Sequence, residues 1–214
     1  MFQPLIYFCG MQNVKNIIFD LGGVFLEVDY QKTEQAFVNL GVTKFNDLFT
    51  HHHADPLFEL LETGKITPTA FYDLFRQASG IPLTNTQIQT AWNAMLGSFY
   101  ADALQWLLPV KQRYNIYLFS NTNQIHEDAF VQTFKQQTGE DDFNSHFIKA
   151  YYSHKLGLRK PYPEAFKAIL EEQHLLAEET VFIDDSYKNV EGAIAAGLQG
   201  ILLPPPKKLT ELVF

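Results

Sequence analysis

Several features that would assign the chain to a broad class are scarce or missing. A single cysteine, Cys9, occurs among 214 residues, which excludes an internal disulfide and favours a reducing compartment. No apolar segment approaches the roughly 18 residues that a membrane-spanning helix requires. Lysine and arginine total 16 against 24 acidic residues, a formal net charge of −8. This balance disfavours nucleic acid and anionic membranes as partners.

The first ten residues are apolar, but they lack a basic segment and are too short for a normal signal peptide. We interpret residues 1–13 as an N-terminal extension, and Met11 is an alternative translation start. With the lone cysteine, these features predict a cytoplasmic protein. The apolar tail, 209–214, docks either on its own domain or on a partner, and the sequence does not indicate the oligomeric state.

Aromatic residues are abundant at 14% of the chain, and short apolar segments alternate with amphipathic helical stretches from about residue 100. This pattern is typical of a parallel sheet covered by helices on both faces. We predict a doubly wound, Rossmann-like α/β fold. The predicted strands are 14–20, 116–119, 147–151, 180–183 and 200–203, and the predicted helices are 102–114, 124–136, 163–174 and 188–196.

The region between the first strand and residue 100 has a helical pattern, with predicted helices at 31–40, 43–50, 55–61, 67–78 and 84–96. We therefore predict an α/β core of residues 14–30 and 99–214, with a small helical cap, residues 31–98, inserted after the first strand. Trp92 and several phenylalanines are predicted to form the cap core. The histidine run 51–53 is predicted to be polar surface or loop, with substrate contact as the alternative.

Polar residues follow three of the predicted strands directly, and a lysine lies between the last two. They are Asp20, Ser120 with Asn121, Lys160, and Asp184 with Asp185. Because the carboxyl ends of parallel strands face one crevice, where open α/β sheets bind ligands, we expect these side chains to converge.

Asp20 by itself is either a nucleophile that forms an aspartyl-phosphate or an acid that caps a strand-to-loop turn. Asp184 and Asp185 favour the first interpretation, because adjacent acids repel each other unless a cation lies nearby. Carboxylates are ligands that Mg²⁺ prefers, often beside a substrate phosphate. Lys160 would neutralise phosphate and carboxylate charge together.

Four segments resemble motifs of the haloacid dehalogenase-like (HAD) hydrolases. They are FDLGGV at 19–24, LFSNTN at 118–123, RKP at 159–161 and FIDDSYKNVEGA at 182–193. The resemblance covers residues 14–203 and is greatest to sugar-phosphate phosphatases similar to bacterial α-glucose-1-phosphate phosphatases. The helical insertion resembles the C1-type cap of this family.

The resemblance implies a role for each of these residues. Asp20 would be the nucleophile, Ser120, Asn121 and Lys160 would hold the phosphoryl group, and Asp20, the Gly22 carbonyl and Asp184 would bind Mg²⁺. Asp185 would be a second ligand or would orient Lys160 and the metal-bound waters. From its position alone, His126 lies either on its helix surface or against the substrate. Asn189 either hydrogen-bonds Asp184 or a metal-bound water, or caps a helix.

Gly22 departs from the family pattern, because most of these phosphatases have an aspartate there that protonates the leaving group. General acid–base catalysis contributes about 10²–10⁴-fold. One hypothesis is a substrate with a good leaving group, as in an anomeric sugar phosphate. The other is that Glu27, Asp29 or His126 replaces the missing acid.

These observations predict a Mg²⁺-dependent phosphatase of a small phosphate ester, with a sugar phosphate as the expected substrate. One alternative is a non-catalytic protein that binds a phospho-ligand or a protein partner, which Gly22 favours. Another is a haloacid dehalogenase, in which Asp20 would attack carbon without a metal. The pair Asp184 and Asp185 argues against the dehalogenase.

Overall fold

The computed structural model describes residues 13–45, 49–50, 53–54 and 56–212, with the backbone alone at 49–50 and 53–54. Nearly all of the predicted N-terminal extension and two residues of the histidine run, 51 and 52, lie outside the described residues. Among the helices that are described, none combines the length and the apolar character needed to cross a bilayer.

The strands are given first and the helices second, each in chain order. The strands are β1 (Asn16–Phe19), β2 (Leu26–Val28), β3 (Phe49–Thr50), β4 (His53–Ala54), β5 (Leu96–Phe99), β6 (Asn115–Ser120), β7 (Lys149–Tyr152), β8 (Thr180–Asp184) and β9 (Gln199–Leu202). The helices are α1 (Tyr30–Asn39), α2 (Pro56–Glu62), α3 (Pro68–Ser79), α4 (Asn85–Asn93), α5 (Ala101–Val110), α6 (Gln124–Thr138), α7 (Ser153–Leu156), α8 (Pro163–Glu172) and α9 (Tyr187–Ala195).

A five-stranded parallel sheet in the order β7-β6-β1-β8-β9 forms the centre of the molecule. Ile17 and Phe19 of β1 face one apolar layer, which includes buried residues of α5 and α6, while Ile18 faces a layer formed with α8 and α9. This alternation follows from the two-residue period of a strand. The predicted doubly wound α/β fold is confirmed, and β1 lies in the middle of its sheet.

Helices α1 to α4 surround an apolar core of their own, largely aromatic, in which Trp92 is 1% exposed. Phe37 stacks on Phe45, and Phe58 packs against Trp92. Ile125 of α6 joins this cluster and so connects the helical unit to the sheet domain. The predicted cap core is therefore present, and the exact domain boundaries stay a prediction.

Three predicted helices are too long. The helix predicted at 102–114 ends at Val110. The helix predicted at 43–50 is wrong at its end, because β3 pairs antiparallel with β4 there. The helix predicted at 84–96 stops at Asn93, and Leu96 begins β5, which pairs antiparallel with β2. The hydroxyl of Thr33 donates to the Trp92 carbonyl and accepts from the Met95 N–H, both at 3.0 Å, so neither group is left for another helical turn.

The C-terminal tail packs on its own domain over the residues that are described. Leu209 and Leu212 are 2% and 6% exposed and belong to the apolar layer beside α5. Residues 213 and 214 lie outside the described part.

Candidate active site

Asp20, Lys160 and Asp184 form a buried triad at the carboxyl ends of β1 and β8. Nζ of Lys160 donates to Oδ1 of Asp20 and to Oδ2 of Asp184, each at 2.7 Å. The side chains of Lys160 and Asp184 are 1% and 0% exposed, and that of Asp20 is 11% exposed. One ammonium group therefore joins two carboxylates that come from different strands, as the sequence predicted.

The backbone of the triad is tied to the sheet at several points. The Asp20 N–H donates to the Ile183 carbonyl at 2.9 Å, which holds the end of β1 against β8. The Asn121 amide accepts from the Lys160 N–H and donates to the Lys160 carbonyl, both at 2.9 Å. The Asn121 side chain thus positions Lys160, and a phosphate contact from this residue would come from its backbone N–H.

Both carboxylate oxygens of Asp184 accept hydrogen bonds, from the turn that follows β8 and from the first turn of α9. Oδ1 accepts from the Ser186 N–H at 2.7 Å, and Nδ2 of Asn189 lies 3.2 Å and 3.0 Å from Oδ1 and Oδ2. The predicted hydrogen bond between Asn189 and Asp184 is confirmed. These donors leave Asp184 little freedom to rotate.

Asp185 lies against the first motif. A Cβ on Gly23, which has φ +70°, would overlap the Asp185 carboxylate. Glycine is therefore required at position 23 both by the backbone conformation and by the approach of this side chain. Asp20, Asp184 and Asp185 each offer an oxygen within 4.8 Å of the others.

The electrostatics of this cluster fit a divalent cation. Burial, together with the charges of Asp184 and Asp185 and against the opposing effect of Lys160, raises the pKa of Asp20 to about 8. Burial and then the Asp184 charge raise the pKa of Asp185 to about 7. Three carboxylates lie close together and the Lys160 ammonium pairs with two of them, so this cluster has excess negative charge when its carboxylates are ionised. Hard oxygen donors in this arrangement suit Mg²⁺.

A cavity of about 330 Å³ opens beside the triad. All but one of the predicted site residues line it: Asp20, Gly22, Ser120, Asn121, His126, Lys160 and Asp185. Asp184, the exception, lies behind Lys160 with its side chain fully buried. Ser120 is 4% exposed at the end of β6. The volume suits a small metabolite.

His126 is part of the cavity wall, so the alternative that it lies on the helix surface is wrong. Its ring is stacked on Trp92 and its Nδ1 lies 2.8 Å from Oδ1 of Asn93. Burial lowers the pKa of His126 to about 3, which keeps the ring neutral near neutral pH. A neutral ring is a poor proton donor, so this geometry favours substrate contact over replacement of the missing acid.

The other two candidates for the missing acid face away from the cavity lining. Glu27 and Asp29 both pair with Lys32, at 3.7 Å and 3.9 Å, and Asp29 also caps α1 by accepting from the Gln31 N–H. Neither residue is part of the cavity wall. The hypothesis that Glu27 or Asp29 replaces the acid is therefore not supported by their position.

Several polar residues of the cavity wall were not among the predicted site residues, and two of them are Glu62 and Arg159. Glu62, at the end of α2, forms an ion pair with Arg159, whose Nη2 lies 2.9 Å from Oε2 of Glu62. The sequence indicated Arg159 only as part of the RKP motif at 159–161, without a role of its own. Glu62 had no local signal, because its partner is almost one hundred positions away.

Comparison with known proteins agrees with this geometry. The family model described as a haloacid dehalogenase-like hydrolase matches residues 14–197. The chain belongs to the haloacid dehalogenase-like hydrolase family. The predicted family and the prediction of an enzyme are therefore confirmed.

Relatives of this HAD hydrolase include two named phosphatases. A D-ribitol-5-phosphate phosphatase from Bacteroides thetaiotaomicron is 31% identical over 177 residues, which is 83% of this chain and 85% of the relative. A sesquiterpene phosphatase from Aspergillus oryzae is 30% identical over 190 residues, 88% of this chain and 89% of the relative.

A HAD family enzyme from Bacteroides thetaiotaomicron, crystallised as a variant with magnesium and inorganic phosphate, superposes with a TM-score of 0.85. It is 33% identical, and the match covers 92% of this chain and 98% of that enzyme.

Proposed function

We propose that the chain is a Mg²⁺-dependent phosphatase that hydrolyses a small sugar or sugar-alcohol phosphate through an aspartyl-phosphate. The observation that supports it most is the buried bridge from Lys160 to Asp20 and Asp184, with Asp185 beside it. The relatives named as phosphatases, and the relative crystallised with magnesium and phosphate, support the same chemistry.

In this mechanism the cavity positions a phosphoryl group against Asp20. A carboxylate oxygen of Asp20 attacks phosphorus in line, the bond from phosphorus to the ester oxygen breaks, and the leaving group takes a proton from a water molecule and departs as an alcohol. Water then attacks phosphorus, releasing inorganic phosphate and the free carboxylate. Lys160 and Ser120 stabilise the charge on the phosphoryl oxygens.

Asp20, Asp184 and the Gly22 carbonyl would hold Mg²⁺, with Asp185 as a further ligand or as the residue that orients Lys160. The bound ion would neutralise charge on the phosphoryl oxygens and on the carboxylates. The raised pKa of Asp20 supports this assignment, because a cation would favour the ionised form that attacks phosphorus.

The assay for this proposal is phosphate release from a panel of sugar and sugar-alcohol phosphates, with Mg²⁺ or with a chelator. We expect metal-dependent turnover that Asp20→Asn lowers by roughly 10⁴-fold or more, as for loss of other nucleophiles. Asp29→Asn is the matched control, because asparagine also caps a helix. Metal binding without turnover on any ester would instead support the non-catalytic alternative.

A further inference from the structure

We propose that Glu62 and Arg159 select the leaving group, admitting one with several hydroxyl groups and rejecting those that are apolar or bear a second negative charge. This inference rests on the proposed phosphatase function and concerns the cavity wall away from the phosphoryl group. It assigns a specificity role to a residue of the helical unit and a residue of the sheet domain.

The two side chains meet at the cavity from opposite sides. Glu62 ends α2, and Arg159 directly precedes Lys160. Their side chains are 14% and 21% exposed, and both line the cavity. The distance from Nη2 of Arg159 to Oε2 of Glu62 is 2.9 Å. Because Arg159 is next to Lys160 in the chain, and Lys160 pairs with Asp20, the ion pair adjoins the part of the cavity proposed to bind the phosphoryl group.

The charges around the pair are unbalanced. Arg159 also lies near Glu59, with 3.6 Å between Nη1 and Oε2, so one guanidinium faces two carboxylates. Glu59 is 42% exposed and does not line the cavity. Burial raises the pKa of Glu62 against the opposing effect of Arg159, and Glu59 raises it further. Lys188 also lines the cavity, but at this pair the two carboxylates outnumber the guanidinium, so a second phosphate or carboxylate that reaches the pair is disfavoured.

A hydroxyl group matches the pair chemically, because it donates to Glu62 and accepts from Arg159 at the same time. An alkyl or terpenoid chain would displace water from both charged groups and form no hydrogen bond with either. Leaving these groups desolvated and unpaired would weaken binding. Val28, Met95 and Leu96 also line the cavity and are apolar, so they offer a leaving group no hydrogen bond.

The test compares esters with and without hydroxyl groups in two matched pairs. The pairs are ribitol 5-phosphate with pentyl phosphate, and glucose 1-phosphate with cyclohexyl phosphate. Phosphoglycolate serves as the ester with a second negative charge, and 4-nitrophenyl phosphate as the reference ester. For the wild type we expect kcat/KM for the hydroxylated ester of at least one pair to exceed that of its partner by about 10²-fold or more. Phosphoglycolate should be a poorer substrate than the preferred hydroxylated ester.

In Glu62→Gln we expect the ratio of kcat/KM for that ester to kcat/KM for 4-nitrophenyl phosphate to fall by about 10–100-fold, the effect of losing a hydrogen bond to a charged group. Most of the change should appear in KM. Glu59→Gln removes the other acid beside Arg159 and should change the ratio less than about threefold. If the ion pair only anchors the helical unit, its loss in Glu62→Gln would lower kcat/KM for both esters by the same factor and leave the ratio unchanged.

Equal use of both members of the pairs by the wild type would overturn this inference, and so would an unchanged ratio in Glu62→Gln. Both results are compatible with the proposed phosphatase. Absence of turnover on every ester would overturn the proposed function and this inference with it.

Discussion

Cγ2 of Val28 lies 3.2 Å from the position that a Cβ would take on Gly22. Val28 therefore occupies space that an aspartate two residues after the nucleophile would need. An apolar side chain therefore lies against the position where the side chain of the missing acid would begin.

Restoring the acid should consequently require a smaller residue at position 28. We expect Gly22→Asp alone to hydrolyse a primary alkyl phosphate no faster than the wild type. Gly22→Asp with Val28→Ala should exceed Val28→Ala alone by about 10-fold or more, part of the roughly 10²–10⁴-fold that general acid–base catalysis supplies. Steady-state phosphate release measures the effect, and no gain in the double variant would show that Val28 is not the obstacle.

Lys160→Met should destabilise the metal-free protein. Lys160 is buried between two carboxylates, and removing one member of a buried ionic group costs about 3–5 kcal/mol. Urea unfolding in chelator at about pH 8 measures the loss, and Mg²⁺ should recover part of it. Lys15→Met breaks an ion pair in which Lys15 is 64% exposed and should cost less than about 1 kcal/mol. A similar small loss for Lys160→Met would contradict the role of the bridge.

The fold should lose stability in mild acid, because His126 stays neutral in the folded protein and gains a proton on unfolding. Its pKa falls from 6.5 to about 3 on burial, so its stability contribution is complete above pH 6.5 and is lost as the pH falls towards 3. Between about pH 7.5 and pH 5 the wild type should lose about 2 kcal/mol more than His126→Asn. Urea unfolding at both pH values gives the difference.

His174→Asn is the control for this experiment. His174 is exposed and has φ 53°, which asparagine tolerates. This variant should follow the wild type at both pH values. If His126→Asn also follows the wild type, the ring is not held neutral in the folded protein.

Gly192→Ala should affect both stability and catalysis. A Cβ at this position in α9 would overlap the Pro161 carbonyl, next to Lys160. Overpacking of this kind costs about 1–3 kcal/mol, and displacing Lys160 by about 1 Å would lower turnover by roughly 10²-fold. Thermal unfolding and phosphate release measure the two effects. Glu191→Ala, on the exposed side of the same helix, should change neither.

The sequence alone was sufficient for the sheet and for the phosphoryl end of the site. The apolar segments before Asp20, Ser120 and Asp184 are short and continuous, as in buried parallel strands, and the fold class brings their carboxyl ends together. Local pattern therefore determined that these residues converge, and the resemblance of 159–161 to a family motif added Lys160 to them.

Only the tertiary structure decided what surrounds that centre. Met95, Leu96 and Phe99 have a spacing that also suits a helix, and pairing with β2 makes part of this segment a strand. The contact of Val28 with Gly22, the ion pair of Glu62 with Arg159, and the inward side of His126 depend on how the helical unit lies on the sheet. These contacts join residues that are far apart in the chain, and the local sequence around one residue does not indicate which distant residue it will contact. Packing depends on atoms that only the folded chain brings together.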